Sequence, residues 1–358
     1  MAANASTDQA PEFDRIDSLP LPREQMRLVG HREAEMTLLD AYRSQRLHHA
    51  WLVGGPKGIG KATLAMRMAR FVLSNPDRDA PHLALATDLS VDSADPAVRR
   101  ILAGSHGDLL HLRRPWDEKG KRFKSFLTVD EVRRTVSFFG STSSYGGWRV
   151  CIVDAADDMN ASAANALLKI LEEPPEKCLF FVLTHSPGRL LPTIRSRCRR
   201  LDLKPLTVDE IVQGLEMFDR AGEEARHAAA LADGSLRRAI QLLDAGGIEV
   251  ANGMDRLIGQ LPKPDLRQIH RFADVVSDRK NEESYRIFLD LLRDWLDRRV
   301  RDDAAAGLPP AVLVRWSEVW EKTTRAATLA DALNLDRKQV VLDAFQALGE
   351  AARERPAA

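Results

Sequence analysis

Residues 55–61 read GPKGIGK and lie between a short apolar run at 51–53 and a segment with helical spacing that follows Lys61. Glycines allow backbone N–H groups to face a phosphate, the start of a helix favours negative charge, and a lysine reaches the terminal phosphates of a nucleotide. The order of strand, glycine-rich loop and helix therefore predicts a phosphate-binding loop. Such a loop restricts this part of the chain to an α/β fold.

The residues after the loop depart from the usual pattern. A phosphate-binding loop has Ser or Thr directly after the lysine, because the hydroxyl ligates magnesium, but this chain has Ala62. Thr63 stands one position later, and neighbouring residues of a helix point about 100° apart, so Thr63 does not simply replace the missing ligand. The sequence predicts that phosphate binding persists while metal-assisted chemistry is impaired.

A second acidic position expected of nucleotide hydrolases ends the buried-type run 149–154, which reads RVCIVD. Asp154 stands where an aspartate serves magnesium and water activation. The next residue is Ala155, where a hydrolase has a glutamate that polarises the attacking water. Asp157 and Asp158 lie further along and are predicted to form a solvated helix start. Two independent losses thus indicate a site that does not hydrolyse nucleotide.

Strand-like and helical segments alternate along the first half of the chain. Apolar runs at 148–153 and 179–183 flank helical spacing at 162–171, and a helix with acidic residues in its first turn is predicted at 128–139. Short apolar strands that alternate with helices are typical of a parallel sheet covered on both faces. The polar, proline-containing stretch 74–125 is interpreted as an insertion with little regular structure.

Helical spacing dominates from residue 204 to the end. Thr207 and Glu210 fit a capping box at the start of a helix, and Trp295, Trp316 and Trp320 are predicted to pack in a core or an interface. These patterns divide the chain into four parts. They are 1–24, a flexible N-terminal tail; 25–203, an α/β domain that contains the insertion; 204–247, a small helical domain; and 248–358, an all-helical domain.

Longer motifs add a family resemblance. Residues 165–175 read NALLKILEEPP, residues 191–198 read LPTIRSRC, and residues 234–239 read GSLRRA. In order and spacing they resemble the bacterial clamp-loader subunits of DNA polymerase III, which belong to the AAA+ superfamily, over residues 28–245. The resemblance implies a RecA-like AAA+ P-loop domain with a parallel sheet, a helical lid at 204–247, and a C-terminal helical collar for oligomerisation.

Within that family the chain resembles the delta-prime type more than the hydrolysing gamma and tau types. The site lacks two hydrolytic groups, and residues 128–133, TVDEVR, are similar to delta-prime sequences. Family members commonly carry a four-cysteine zinc module after the helix that follows the loop. The cysteines of this chain are Cys151, Cys178 and Cys198, which lie beyond that region, so neither zinc nor any other metal is expected.

The resemblance assigns Arg197 the role of an arginine finger in trans, which reaches the ATP held by a neighbouring subunit. Such a guanidinium stabilises the charge that develops on the transferring phosphoryl group. Composition alone favours a different interpretation, a basic surface run formed by Arg195, Arg197, Arg199 and Arg200. The two interpretations make opposite predictions for the removal of Arg197.

The resemblance also implies a degenerate nucleotide site. Thr184 takes the place of a polar sensor, or simply ends a strand, and the pair His48 and His49 either contacts adenine or forms a local turn. Arg237 takes the place of the lid's sensor arginine, or is a solvated helix residue. The expected nucleotide-binding residues are Gly55, Pro56, Gly58, Gly60, Lys61, Thr63, Asp154 and Arg237.

Composition and the resemblance together define the expected function. The chain has 52 basic and 52 acidic side chains, so its net charge gives no sign of an independent nucleic-acid or membrane binder. The resemblance implies a cytoplasmic, non-hydrolysing stator that joins gamma or tau and delta subunits, and that reaches the sliding clamp and primed DNA through the complex. No cofactor is required, although ATP or ADP binding without hydrolysis fits the loop. The alternatives are a hydrolysis-competent gamma or tau type subunit and a nucleotide-sensing binding module.

Overall fold

The computed structural model describes residues 12, 15–16, 18–244, 246–278 and 282–353. These residues divide into two compact units. The first unit contains the described residues up to Asp219 together with Asp233–Leu236, and the second contains Arg220–Ala232 and the described residues from Arg237 onward.

The strands of the described chain belong to the first unit. They are β1 (Ala50–Gly54), β2 (Leu109–Leu112), β3 (Trp116–Asp117), β4 (Arg122–Phe123), β5 (Arg149–Val153), β6 (Cys178–Thr184) and β7 (Arg199–Asp202). Five of them form a parallel sheet in the order β2-β5-β6-β1-β7, while β3 and β4 form an antiparallel pair. The predicted parallel sheet is confirmed.

Helices surround the sheet and form the second unit. The first unit has α1 (Arg32–Arg43), α2 (Lys61–Ser74), α3 (Pro96–Leu102), α4 (Val129–Gly140), α5 (Ala161–Glu172), α6 (Pro192–Arg197) and α7 (Val208–Glu216). The remaining helices are α8 (Glu223–Leu231), α9 (Leu236–Asp244), α10 (Gly247–Ile258), α11 (Leu266–Val276), α12 (Glu282–Ala305), α13 (Pro310–Leu333) and α14 (Arg337–Arg353).

The sheet is buried on both faces because successive side chains of a strand point to opposite sides. In β1, Trp51 and Val53 belong to one hydrophobic cluster, which also contains Leu64 of α2. Leu52 belongs to the cluster on the other face, which also contains Leu167 of α5. The continuous apolar runs of the sequence are therefore central strands of a two-sided sheet.

Local capping signals fix several helix starts. The Thr128 side chain accepts a hydrogen bond from the Glu131 backbone at the start of α4, and Asn160 caps α5 in the same way. Thr207 and Glu210 form the predicted capping box of α7. Each of these side chains satisfies a backbone N–H that has no partner within its helix.

The stretch 74–125 differs from the expectation of little structure. It contains α3, with Pro96 in its first turn and the Asp95 side chain as its cap. It also contains β2, an edge strand of the main sheet. β2 is only four residues long, LLHL, and lies within a polar stretch, so its strand character was not evident from apolar spacing.

The expected N-terminal tail also differs where it is described. Leu21 is buried, and the buried Arg70 guanidinium of α2 donates to the backbone carbonyls of Arg23 and Gln25. The backbone at Arg23 and Gln25 is therefore fixed on α2, while the boundary at residue 24 stays a prediction. Residues 1–11, 13–14 and 17 lie outside the described part of the chain.

The second unit is built around a separate aromatic core. Phe272, Phe288 and Phe345 pack against one another with ring centroids 5.7–6.1 Å apart. The Trp316 indole is buried, as predicted, and donates to the buried Asp303 carboxylate at 2.9 Å. Of the helices in the described ranges, none combines the length and the apolar character that crossing a bilayer demands.

The two units do not by themselves decide the predicted division into α/β domain, lid and collar. Helix α7 belongs to the first unit, whereas α8 and most of α9 belong to the second. The boundaries at 203 and 247 stay predictions.

Candidate nucleotide site

The candidate site lies at the edge of the sheet where the parallel strands end. β6 is paired with β1 on one side and with β5 on the other. The ends of these strands therefore bring the loop after Gly54, the turn after Thr184, and Asp154 to the same edge. The structure thus joins the two halves of the predicted nucleotide site.

The loop depends on glycine at positions with a left-handed backbone. Gly55 has φ 140°, Gly58 has φ 78°, and Gly60 has φ 111°. A Cβ atom on Gly55 would lie 2.7 Å from both the Leu203 carbonyl oxygen and Ile59 Cδ1. Any residue with a Cβ atom would be strained in these backbone conformations, so the shape of the loop depends on its three glycines.

Lys61 begins α2 and is almost completely buried. Its Nζ donates to the carbonyl oxygens of Gly55 at 2.7 Å and Pro56 at 2.6 Å, and lies 2.9 Å from His185 Nδ1. Burial lowers the pKa of Lys61 to about 8, although the Asp154 carboxylate opposes this shift. The ammonium group is therefore surrounded by acceptors that the chain itself supplies.

Asp154 directly follows β5, at the position predicted for the acidic residue that serves magnesium and water activation. Its Oδ2 lies 3.5 Å from His111 Nε2, a contact longer than an ordinary hydrogen bond. Burial favours the neutral acid, but the nearby imidazoles and the Lys61 ammonium hold the pKa of Asp154 below its ordinary value. Asp154 is therefore an anion at neutral pH.

The two positions that lack hydrolytic groups are both alanines. Ala62 packs beside the hydrophobic cluster on the α2 face of the sheet, and Ala155 is buried. Thr63 lies in the first turn of α2 and is half-buried. The methyl groups of Ala62 and Ala155 offer neither a ligand for magnesium nor a base for water.

The prediction that Asp157 is part of a solvated helix start is wrong. Its carboxylate accepts hydrogen bonds from Thr184 Oγ1 at 2.6 Å, the His185 backbone N–H at 2.5 Å and the Ser186 backbone N–H at 3.2 Å. Asp157 therefore fixes the turn that follows β6. The sequence pattern missed this role because the partners lie 27 to 29 residues away.

Asp158 is also fixed by a partner distant in sequence. Its two carboxylate oxygens accept hydrogen bonds from Arg114 Nε at 2.6 Å and Nη2 at 2.5 Å. This paired geometry is the strong form of an arginine–carboxylate contact. Asp158 thus ties the start of the β3–β4 hairpin to the turn after β5.

Two histidines that the sequence did not single out contact the loop region. His185 bonds to Lys61, and His31 Nε2 lies 2.8 Å from the Ile59 carbonyl oxygen. The register that pairs Gly54 with Thr184 puts the residue after Thr184 beside the loop. Strand adjacency, once known, would have identified His185.

His48 and His49 lie away from the nucleotide loop, at the other end of β1. Their rings are 4.4 Å apart, the Ala50 backbone donates to His48 Nδ1, and His49 Nε2 lies 3.2 Å from the Leu171 carbonyl oxygen. The described contacts of the pair are thus local ones, and the adenine-contact alternative stays a prediction.

Arg197 is the last residue of α6 and is about one-third exposed. Its Nη2 lies 2.7 Å from Glu172 Oε1, and its Nη1 donates to the Thr193 carbonyl oxygen at 3.1 Å. The guanidinium is thus held at the surface by an exposed acid. Both of these partners lie outside the nucleotide loop.

The topology separates Arg197 from the loop of its own chain. β7 begins two residues after Arg197, and Arg199 pairs with Trp51 near the start of β1. The loop begins only after Gly54, at the far end of that strand. Arg197 and the loop therefore lie at opposite ends of the strands, Arg197 near the start of β1 and the loop after its last residue.

Comparison with known proteins places the site in a family. Residues 30–207, about half of the chain, match the family model described as DNA polymerase III, delta subunit. DNA polymerase III subunit delta' of Pseudomonas aeruginosa is 40% identical over 150 residues, which cover 42% of this chain and 41% of that protein. The chain belongs to the DNA polymerase III delta-prime family.

Other relatives include both delta-prime and tau subunits. DNA polymerase III subunit delta' of Escherichia coli is 34% identical over 47% of this chain and 46% of that protein. Subunit tau of Bacillus subtilis is 31% identical over 61% of this chain and 36% of that protein. The chain thus spans less than half the length of these curated relatives.

Solved structures resemble the chain weakly. A DNA polymerase III gamma subunit-related protein of Thermotoga maritima has a TM-score of 0.36 at 16% identity, and the match covers 88% of this chain and 100% of that one. The RuvB Holliday junction branch migration motor of the same organism has a TM-score of 0.40 at 16% identity, over 82% and 88%.

The sheet order, the loop and the family together define the fold class. The first unit contains a parallel sheet with a glycine-rich loop after β1, and helices make up the C-terminal part of the described chain, as predicted. Arg237, the expected lid residue, lies near the start of α9 and belongs to the second unit.

The three cysteines lie in the protein interior. Cys151, Cys178 and Cys198 are buried and unpaired by disulfides. Burial raises the pKa of the Cys178 thiol to about 11 and that of Cys198 to about 12. Within the described residues, no three His, Cys, Asp or Glu side chains are arranged to hold a metal ion.

Proposed function

We propose that this chain is a non-hydrolysing subunit of a DNA polymerase III clamp loader, of the delta-prime type, in DNA replication. It acts as a stator: it joins gamma or tau and delta subunits and supplies Arg197 to ATP on a neighbouring subunit. Contact with the sliding clamp and primed DNA comes through the complex, in the cytoplasm. Membership of the delta-prime family supports this proposal.

The observation that carries the proposal is the position of Arg197 relative to its own loop. Trp51 and Gly54 are three residues apart, which is about 10 Å of strand, and Arg197 precedes the residue that pairs with Trp51. A side chain at that edge cannot serve phosphates bound at the other edge of the same sheet. Among the described residues, the Arg197 guanidinium bonds to Glu172 and to the Thr193 carbonyl at the surface, a position suited to serve a site on another subunit.

The chemistry of the chain's own site supports the absence of hydrolysis. The glycines of the loop and Lys61 are suited to phosphate, and Asp154 is ionised nearby. The missing hydroxyl at Ala62 and the missing carboxylate at Ala155 remove the groups that would position magnesium and activate water. The loop therefore binds ATP or ADP without turning it over, with Thr63 and Arg237 as remnants of a complete site.

The deciding experiment is ATP turnover by a clamp loader reconstituted with this chain, in the presence of the sliding clamp and primed DNA. Arg197→Ala should reduce turnover tenfold or more, because arginine fingers contribute about 10³ to 10⁵ in rate. Arg195→Ala is the matched control, since Arg195 is an exposed arginine two residues earlier on the same helix. It should leave turnover unchanged.

Two results would reject the proposal. Equal turnover with wild-type chain and with Arg197→Ala would reject the arginine finger and favour the interpretation that Arg197 is part of a basic surface run. Turnover by the isolated chain would instead favour the hydrolysis-competent alternative, a subunit of the gamma or tau type. The similarity to tau subunits is the observation that supports this alternative. Tight nucleotide binding in a chain that does not assemble with other subunits would favour the nucleotide-sensing module.

A further inference from the structure

We propose that His185 is a positioning residue that holds Lys61 on the carbonyls of its own loop and thereby weakens the binding of nucleoside triphosphates. This inference rests on the proposed nucleotide-binding role of the loop. It names the residue that sets the affinity of that site, and it predicts that the site becomes a better ATP binder when His185 is removed.

The first step is the set of partners around the Lys61 ammonium. A lysine ammonium has three N–H donors and no acceptor. Three acceptors lie within hydrogen-bond distance of Nζ, namely the Gly55 oxygen at 2.7 Å, the Pro56 oxygen at 2.6 Å and His185 Nδ1 at 2.9 Å. Every donor is therefore matched by the chain, and a phosphate must displace at least one of these acceptors to reach Lys61.

The second step is the position of His185, which does not depend on its side chain alone. Gly54 pairs with Thr184, so the residue after Thr184 stands beside the loop. Thr184 is fully buried, and the Asp157 carboxylate holds the Thr184 hydroxyl and the backbone N–H groups of His185 and Ser186. The turn that carries His185 is therefore fixed, and it holds the imidazole beside Lys61.

The third step is the protonation state of the imidazole. Burial, followed by the neighbouring Lys61 ammonium, lowers the pKa of His185. The Lys61 ammonium can only donate, so the neutral ring accepts at Nδ1 and carries its proton on Nε2. A hydrogen bond from a charged donor is stronger than one between neutral groups. His185 thus competes with phosphate for the same ammonium group.

A different role for His185 would predict the opposite result. A histidine beside a phosphate-binding loop can itself donate to a phosphate oxygen, and its removal would then weaken ATP binding. The contacts favour competition because Nδ1 already accepts from Lys61 and the backbone N–H of His185 is already bonded to Asp157. The sign of the change in affinity separates the two roles.

The test is calorimetric titration of the full chain with ATP, with and without magnesium. His185→Leu introduces an apolar side chain of similar bulk that has no acceptor, and should tighten ATP binding by about tenfold. His185→Asn retains an acceptor near the position of Nδ1 and should bind ATP close to the wild-type value. Thermal unfolding of each variant establishes that the chain is folded.

A double mutant separates positioning of Lys61 from a general structural effect. In a Lys61→Met background, His185→Leu should leave the ATP affinity unchanged, because the group that His185 competes for is gone. The proposal is overturned if His185→Leu binds ATP no better than wild type, or binds it more weakly, or if its gain survives in the Lys61→Met background. These readouts are independent of the turnover assay with Arg197→Ala, so each proposal can fail alone.

Discussion

Lys61 is 5% exposed, and its Nζ lies within hydrogen-bond distance of three acceptors. Burial moves its pKa from 10.5 to about 8. Between these values an unfolded chain binds a proton that the folded chain has released, so the free energy of unfolding should rise with pH in this window. Below pH 8 both states are protonated and this contribution is constant.

The matched comparison is urea unfolding of wild type and Lys61→Met at pH 8 and pH 10. Between these pH values, the stability of wild type relative to the variant should increase by about 2 kcal/mol. Other groups titrate equally in both chains and cancel in the difference. Parallel pH profiles for the two chains would show that the ammonium is not desolvated by the fold.

Single residues of the site were predictable where their chemistry is local in sequence. The loop glycines, Lys61 and Asp154 were predicted and lie at one edge of the sheet. His185 and Asp157 were not, because their roles arise from β6 lying beside β1 and from hydrogen bonds across 27 to 29 residues. Periodicity does not reveal which strands are neighbours.

The segment between α4 and β5 depends on one buried acid. Asp108 is 2% exposed, and its carboxylate accepts from Ser143 Oγ at 2.9 Å and from the backbone N–H groups of Ser144 at 2.8 Å and Tyr145 at 3.1 Å. Asp108→Ala should cost about 2–3 kcal/mol, because two backbone donors lose their partner. Asp130→Ala is the control, since the Asp130 side chain is 84% exposed.

Urea unfolding and amide hydrogen exchange together check this prediction. Asp108→Ala should speed exchange at residues 143–147, whereas the control should change neither stability nor exchange. Unchanged exchange in Asp108→Ala would mean that the segment is held by other contacts. The result bears on an element, since this segment leads directly into β5 and so into Asp154.

Elements were predictable where a local signal marks them. The capping box at Thr207 marked the start of α7, and the acidic residues Asp130 and Glu131 marked the first turn of α4. β2 was missed because an edge strand of four residues in a polar stretch has neither a long apolar run nor a helical period. Its stability comes from pairing with β5, which the sequence does not show.

The organisation of the whole chain was harder to predict than its elements. Helical spacing shows that one face of α8 is buried but not which core buries it, and Ala228 of α8 belongs to the core of the second unit. The division into α/β domain, lid and collar rests on the family resemblance. Two separate cores, however, make a prediction about how the molecule responds to a cavity.

Phe181 and Phe288 are both fully buried, one in the sheet of the first unit and one in the aromatic core of the second. Replacing either with Ala should cost about 3–5 kcal/mol, because each leaves a cavity in a packed core. If each core is stabilised by its own contacts, Phe181→Ala should speed hydrogen exchange in β1, β5 and β6, and Phe288→Ala should speed it in α11, α12 and α14.

Hydrogen exchange followed by mass spectrometry on the full chain, at a denaturant concentration below the unfolding transition, distinguishes these responses. ATP binding by the loop should survive Phe288→Ala and be lost first in Phe181→Ala, since β6 carries the turn that meets Lys61. If either cavity speeds exchange throughout both units, the chain unfolds as one cooperative body. The nucleotide loop would then be coupled to the helices proposed for assembly through global stability.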